Sequence, residues 1–169
     1  MYSTFYKGAH MPLSNVIGSL EKMKEMNGNF MQIFVSSKFG KAKANFEEYF
    51  ESIGPDVIDY CNENDMKIVI HSPYVINLAK PFDECLPFIE ICLTQIRAGT
   101  AIGSIGYVIH VGKHLKLDVF DATTNMLQNM KHIANIMREE SLTCKLILET
   151  GAGQGTEMFI CRDNSLAPL

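Results

Sequence analysis

The stretch Lys145-Leu-Ile-Leu-Glu149-Thr-Gly151-Ala-Gly-Gln-Gly155 decides how the chain folds. An apolar run ends in one carboxylate, and a glycine-rich loop follows immediately. That order is typical of a buried strand in a parallel sheet, where functional side chains gather at the carboxyl ends of the strands. The stretch therefore predicts a strand over 144–149 that places Glu149 at the rim of a sheet.

Two earlier apolar runs end in the same way, with a histidine in place of the carboxylate. They are Lys67-Ile-Val-Ile-His71 and Gly106-Tyr-Val-Ile-His110. The three terminal residues are equally spaced, since 110 − 71 = 39 and 149 − 110 = 39. Two neutral imidazoles and one carboxylate form a ligand set that zinc accepts. If the three strands are neighbours in a parallel sheet, their carboxyl ends bring the three side chains to one place.

The rest of the chain alternates between strand and helix patterns. Ser14 is the expected N-cap of the first helix, and Gly54-Pro55 is expected to interrupt the second. The alternation predicts a parallel sheet with crossover helices, and His10 lies with the other candidates at a carboxyl end. The predicted strands cover 5–10, 30–35, 67–71, 106–111 and 144–149, with four helices between them.

Two architectures fit this alternation, an open doubly wound sheet and an incomplete barrel. A closed (β/α)₈ barrel needs at least about 200 residues, whereas 169 residues leave room for five strands. An open nucleotide-binding sheet would carry a glycine fingerprint after its first strand, and the sequence has neither that motif nor a Walker-type loop. These patterns leave both architectures open. We expect one domain over 1–155 and an irregular tail over 156–169, where no period is visible.

The composition narrows the class of protein. The chain is 47% hydrophobic and 20% charged, which is typical of a soluble domain with one core. Its formal net charge of −4 excludes a global basic field for nucleic acid, but not a local basic patch. The five cysteines form no CxxC pair, which favours free thiols in a reducing compartment. Without a signal peptide or a transmembrane run, we expect an intracellular, cytoplasmic protein with no membrane partner.

Each candidate ligand also has a structural interpretation. A lone histidine at a strand end, such as His71 or His110, is often a hydrogen-bonded structural residue. Glu149 is harder to explain in that way, because a carboxylate after a buried run costs free energy unless it is paired or bound to metal. His10 is a candidate ligand, a support for the ligands, or a turn residue. His114 is a candidate for metal or for phosphate.

Three features on the predicted rim loops have two interpretations each. Tyr74 and Val75 either pack under the next helix or enter a DNA stack as a wedge that exposes a nucleotide. Lys38 belongs to a lysine-rich loop that is either solvated or in contact with a phosphate backbone. The glycines of 151–155 either turn the chain or let the backbone approach a phosphate closely.

Five motifs along the chain can be compared with known families. They are Gly8-Ala-His10, Gln32-Ile-Phe34, His71-Ser-Pro-Tyr-Val-Ile-Asn-Leu78, Ile109-His-Val-Gly-Lys-His114 and Leu148-Glu-Thr-Gly-Ala-Gly-Gln-Gly155. Together, in their order and spacing, they resemble the endonuclease IV family of zinc-dependent abasic-site endonucleases. The resemblance implies an α/β fold of the TIM (β/α)₈-barrel type, here incomplete, with about five parallel strands and four helices. It also implies hydrolysis of the phosphodiester 5′ to abasic sites in double-stranded DNA, as in base excision repair.

The resemblance assigns roles at the metal centre. It implies that His71, His110 and Glu149 bind one zinc, and that Glu149 acts in catalysis by bridging to a second zinc. The complete family barrel holds up to three zinc ions. The family's remaining ligands lie on later strands, and no histidine follows Gly155, so we expect at most one zinc site here.

The resemblance also bears on the contacts with DNA. Tyr74 and Val75 match the family's minor-groove loop, with valine where leucine is common, and we add Lys38 and His114 as expected DNA contacts. After Phe34 the chain reads Ser-Ser-Lys-Phe-Gly-Lys, where the family often has an Asn-x-Arg-x-Trp-like segment.

The missing later strands leave further functions open. We expect a truncated family member whose barrel a second chain would complete. One alternative is a non-catalytic remnant or interaction module. The other is a sugar isomerase or epimerase, since related barrels place metal ligands on similar strand ends.

Overall fold

Five parallel strands alternate with four helices, as the sequence predicts. The computed structural model describes residues 5–12, 15–36, 45–162 and 165–167, with side chains as far as 159. The elements in chain order are β1 Gly8–Met11, α1 Val16–Glu25, β2 Phe30–Ile33, α2 Phe46–Glu63, β3 Lys67–His71, α3 Phe82–Ala101, β4 Gly106–His110, α4 Val119–Glu139, β5 Lys145–Glu149, β6 Ile160–Arg162 and β7 Ser165–Ala167.

The order of the strands distinguishes between the two predicted architectures. The sheet runs β1-β2-β3-β4-β5, and every neighbouring pair is parallel. A doubly wound sheet reverses its strand order at a switch point, whereas a barrel adds each strand beside the previous one. The observed order has no reversal among the described strands. It is therefore the winding of a barrel wall.

The core lies between the sheet and its helices. Alternate residues of the central strands point to the helix layer and are almost completely buried, while their neighbours point to the concave face. The buried hydroxyl of Tyr107 has a partner in this layer, since it donates to Gln95 Oε1 at 3.1 Å. The buried helix-facing residues are Met31, Ile33, Ile68, Ile70, Tyr107 and Ile109.

The first helix begins one residue later than its predicted cap implies. Asn15 is the N-cap, and its side-chain oxygen accepts the Gly18 N–H at 3.3 Å. Asparagine caps a helix as well as serine does, so the local chemistry is the one predicted, at the next position. Ser14 itself lies outside the described residues.

The predicted interruption of the second helix is wrong. α2 is continuous, with Pro55 inside it. Proline removes one helical N–H, and one lost hydrogen bond is compatible with a helix that packing stabilises. Position 54 requires glycine, because a Cβ there would overlap the carbonyl oxygen of Ala101. The glycine therefore permits close packing of α2 against the end of α3.

The predicted irregular tail contains regular structure. β6 and β7 form an antiparallel pair, in which Ile160 lies opposite Ala167. Strands of three residues are too short to show a period in the sequence, which explains why they were not predicted. The domain boundary at residue 155 stays a prediction. No helix in the described part of the chain is long and apolar enough to cross a membrane.

Candidate metal centre

The carboxyl ends of β3, β4 and β5 meet at one point of the rim. His71 ends β3, and His110 on β4 lies directly opposite Glu149 on β5 in the parallel register. Each of the three residues offers a ligand atom, and these atoms all lie within 4.8 Å of one another. The equal spacing in the sequence thus corresponds to a real cluster. The role of these residues as metal ligands remains a prediction.

The three side chains form a gradient of exposure. His71 is 6% exposed and His110 is half-buried. The Glu149 side chain is 46% exposed, because β5 is the last strand of the described sheet. The cluster is therefore buried at its β3 end and exposed to solvent at its β5 end.

The contacts of the two ring nitrogens of His71 are compatible with a metal ion between His71 and Glu149. Its Nδ1 lies 2.6 Å from the Ser72 carbonyl oxygen, and its Nε2 lies 3.1 Å from Glu149 Oε2. A neutral imidazole has one N–H, so it can donate to one of these two acceptors only. A proton on Nδ1 leaves the Nε2 lone pair facing a carboxylate. A metal ion bound by both atoms removes that conflict, and a carbonyl partner on Nδ1 is the usual support for a ligating histidine.

A nitrogen of His110 without a hydrogen-bond partner is the second indication of a metal site. The His110 Nε2 is buried and makes no hydrogen bond to any residue that the structure describes. Burial, more than any other factor, lowers the pKa of His110, and Glu149 opposes that effect. A neutral imidazole with a free buried nitrogen is what a metal site requires. The donor set of two nitrogens and one carboxylate therefore fits zinc.

His10 reaches the centre through an aromatic contact. The centroid of its ring lies 4.5 Å from that of Phe34, and the Phe34 ring centroid lies 5.1 Å from that of His71. Burial lowers the pKa of His10. Tyr74 closes the same group, with its ring 5.6 Å from that of His71. His10 thus packs beside the candidate ligands, and its predicted supporting role stays a prediction.

The predicted DNA contacts have different surroundings. Tyr74 is 62% exposed and Val75 is 40% exposed, so neither packs under the next helix. The His114 ring is held within its own loop, where Nδ1 lies 3.1 Å from the Leu117 carbonyl oxygen. Lys38 lies outside the described residues.

Asn77 is a structural residue of the site that the sequence did not reveal. Its Nδ2 donates to the Lys113 carbonyl at 3.0 Å, and its Oδ1 accepts the Lys113 N–H at 3.0 Å. One side chain thus joins the loop after β3 to the loop after β4. The available signal was an asparagine within the otherwise apolar run Val75-Ile-Asn-Leu78.

Glu157 is the second residue that was missed. Its Oε2 accepts the N–H groups of Gly153 and Gln154 at 3.0 and 2.9 Å, which closes the glycine loop on itself. Its other oxygen, Oε1, lies 3.6 Å from Lys113 Nζ. Together these loops border a cleft of about 480 Å³ beside His110.

Comparison with known proteins places this geometry in a family. Residues 20–167 match the family model described as xylose isomerase-like TIM barrel. The probable endonuclease 4 of Mesoplasma florum is 24% identical over 160 residues, which is 89% of this chain and 53% of the relative. The probable endonuclease 4 of Latilactobacillus sakei is 28% identical over 158 residues, with 89% and 50% covered. The chain therefore spans about half the length of these curated relatives.

Solved structures confirm the fold. Endonuclease IV from Thermus thermophilus aligns with a TM-score of 0.61 at 18% identity, covering 89% of this chain and 53% of that one. A D-tagatose 3-epimerase-like protein aligns with a TM-score of 0.63 at 17% identity, covering 90% and 56%. Identities this low show the fold alone. The predicted incomplete α/β barrel is confirmed, as is the resemblance to endonuclease IV, and the chain belongs to the xylose isomerase-like TIM barrel family.

Proposed function

We propose that this chain supplies the first metal position of a DNA-repair endonuclease that hydrolyses the phosphodiester 5′ to abasic sites in double-stranded DNA. The observation that carries the proposal is the cluster of His71, His110 and Glu149, whose ligand atoms lie within 4.8 Å of one another. The names of the curated relatives, probable endonuclease 4, support the choice of reaction.

The chain's own residues prepare the site for a metal and a substrate. A proton on His71 Nδ1, donated to the Ser72 carbonyl, directs the Nε2 lone pair into the cluster. The lowered pKa of His110 keeps that ring neutral near pH 7. Zinc, when held by these two rings and Glu149, supplies Lewis acidity toward a phosphodiester and acidifies water.

The exposed loop after β3 favours DNA as the substrate. Tyr74 and Val75 project from the rim next to His71, where an aromatic ring and an aliphatic side chain can enter a minor groove beside an abasic nucleotide. Expulsion of an abasic nucleotide from the stack costs less than expulsion of a paired base, which favours damaged sites.

Further polypeptide belongs to the proposed active form. The described residues contain one group of three metal-ligating side chains, so a cluster of up to three zinc ions needs ligands from elsewhere. Additional strands, on a second chain or a longer one, would complete the barrel and bring them.

One observation favours a second candidate function. The D-tagatose 3-epimerase-like structure aligns as well as the endonuclease does, and a cluster at the strand ends suits a metal that binds a sugar as well as one that binds a phosphodiester. A sugar isomerase or epimerase is therefore the alternative reaction for the same residues. A non-catalytic interaction module is the outcome if no metal binds.

Zinc content and strand cleavage together test the proposal. We expect about one zinc per chain in the purified protein, lost in Glu149→Gln and retained in the matched control Glu139→Gln, an exposed residue at the end of α4. Joined to the remaining strands of a curated relative, the chain should nick a duplex with one abasic analogue, and Glu149→Gln should not. Turnover of a free ketohexose without nicking would favour the epimerase instead. A folded chain without zinc would favour the interaction module.

A further inference from the structure

A cleft of about 480 Å³ opens beside the candidate metal centre, between the loops that follow β3, β4 and β5. His110 and Gly151 line the side next to the candidate ligands. Tyr74, Lys80 and Lys113 also border the space. The cleft thus brings an aromatic residue and two lysines next to the candidate metal centre.

The backbone of Lys113 is fixed from two directions. Asn77 makes two hydrogen bonds to its peptide groups, each of 3.0 Å. On the other side, Lys113 forms a β-bridge with Glu157, and the Met158 N–H donates to the Gly112 carbonyl at 3.1 Å. A backbone held in this way sets the origin of the side chain before any ligand arrives. Such pre-organisation lowers the entropy that binding costs.

The side chain of Lys113 has a weak partner. Its Nζ lies 3.6 Å from Glu157 Oε1, which is long for a charge-assisted hydrogen bond, and half of the side chain is exposed. The second amine is similar, since Lys80 Nζ lies 3.8 Å from Glu84 Oε2 on the surface. Exposed ion pairs of this kind contribute little to stability and exchange partners at low cost.

Glu157 has partners of its own in the glycine loop, besides Lys113. Its Oε2 accepts two backbone N–H groups, and the carboxylate is mostly buried. The N–H of Gln154, first of all, holds the pKa of this carboxyl below its usual range against the opposing effect of burial. The two backbone hydrogen bonds of Glu157 therefore remain when Lys113 leaves it. The pair can serve as a resting position for the amine.

We propose that Lys113 binds a phosphate of DNA next to the metal centre, and that Glu157 is the internal counter-ion that this phosphate displaces. The inference rests on the proposed function for the identity of the substrate, while the phosphate-binding role concerns any nucleic-acid backbone that enters the cleft. It makes Lys113 a substrate-binding residue and Glu157 a competitor of the substrate.

Binding measurements on the purified full chain test this inference. The probe is a fluorescently labelled duplex with one abasic analogue, titrated at several salt concentrations, with an undamaged duplex beside it. Lys113→Gln should weaken binding about tenfold, as expected for the loss of a charge-assisted hydrogen bond. It should also reduce the slope of log K against log salt by about 0.9, which corresponds to one phosphate contact. Lys131→Gln, on the exposed face of α4, is the matched control and should leave affinity and slope unchanged.

Glu157→Gln separates the binding role from a structural one. The amide retains an oxygen for the backbone N–H groups but removes the negative charge, so Lys113 is released and the duplex should bind several-fold more tightly. If the ion pair only braced the loops, Glu157→Gln and Lys113→Gln would both weaken binding. Lys113→Arg provides a test that does not require the Glu157 variant to fold. Because arginine keeps the positive charge, this variant should restore the salt slope that Lys113→Gln loses.

The outcomes separate this inference from the proposed function. If Lys113→Gln binds DNA with the same affinity and the same salt slope as the control Lys131→Gln, the phosphate-binding role is overturned, whatever reaction the protein performs. The expected Lys113 effects with equal affinity for damaged and undamaged duplex support the role and argue against abasic-site recognition. Absence of binding by the unmodified chain to either duplex, with zinc present, overturns the phosphate-binding role and leaves the proposed function to the nicking assay on the completed barrel.

Discussion

β4 and β5 carry the same sequence pattern in different surroundings. Each has an apolar run that ends in a candidate metal ligand, and the two strands pair in register, with Ile109 opposite Leu148. Ile109 is 1% exposed, whereas Leu148 is 49% exposed. The buried strand lies between two other strands and beneath the helix layer. β5 pairs with β4 alone among the described strands.

The difference shows what an apolar run encodes. Its side chains favour burial, but the neighbouring elements decide whether burial occurs. At the ligand ends the two strands are nevertheless equivalent, because the parallel register alone places His110 beside Glu149. Site geometry and burial are thus set by different contacts, and each can be perturbed separately.

Hydrogen exchange should show the largest contrast between the strands. The Lys145 N–H donates to the Ile105 carbonyl and the Glu149 carbonyl accepts the Val111 N–H, so alternate amides of β5 face β4. The amides of Leu146 and Leu148 then point away from β4. We expect them to exchange at least about 1,000-fold faster than the central amides of β4. Equal protection, measured by NMR, would show that β5 has a second partner in solution.

Truncation of the register partners on the helix side should differ strongly in stability. Ile109→Ala removes a buried side chain and should cost about 2–5 kcal/mol of unfolding free energy. Leu148→Ala, at the half-exposed partner position, should cost less than about 1 kcal/mol, because little apolar surface is buried there. Urea denaturation of the two variants measures the difference. Similar losses would contradict the exposed state of β5.

Alanine substitutions at the two ends of the metal cluster should both abolish zinc binding but should differ in their effect on stability. His71→Ala removes a buried ring and leaves the Ser72 carbonyl without its donor, so zinc binding is lost and the unfolding free energy falls by about 1–3 kcal/mol. Glu149→Ala should abolish zinc binding with little loss of stability, because that side chain is half exposed. Zinc titration and urea denaturation of both variants test this. Equal stability of the two would show that the β3 end is no more rigid than the β5 end.

The pH dependence of His110 should be the smallest effect. Its folded-state pKa lies below the ordinary value because of burial, so the unfolded chain takes up the proton first as the pH falls. The metal-free protein should therefore lose stability as the pH drops below about 6.5, the unperturbed value for histidine. Urea denaturation between pH 7.5 and pH 5 with a chelator present should show a smaller loss in His110→Gln. An identical pH dependence would place the His110 ring in water.

The sequence predicted the parts of the site that depend on strand ends. His71, His110 and Glu149 could be identified because each ends an apolar run, and parallel strands align their carboxyl ends wherever the helices lie. Gly54-Pro55 misled because the packing of α2 against Ala101 outweighs the local preference of proline. The contact between Lys113 and Glu157 had no signal, since 44 residues separate them and only the loop geometry brings them together.

The double hydrogen bond of Asn77 has a consequence for how loop lengths can vary. The side-chain amide of Asn77 hydrogen-bonds both the N–H and the carbonyl of Lys113 on the neighbouring loop, as the backbone of one strand does with the next strand. An inserted or deleted residue between His71 and Asn77, or between His110 and Lys113, would shift one partner out of register with the other. Members of the family that keep this amide should therefore change the lengths of these two segments together or leave both unchanged. We expect the length of the loop to vary after Lys113, in the part that the Asn77 amide does not hydrogen-bond.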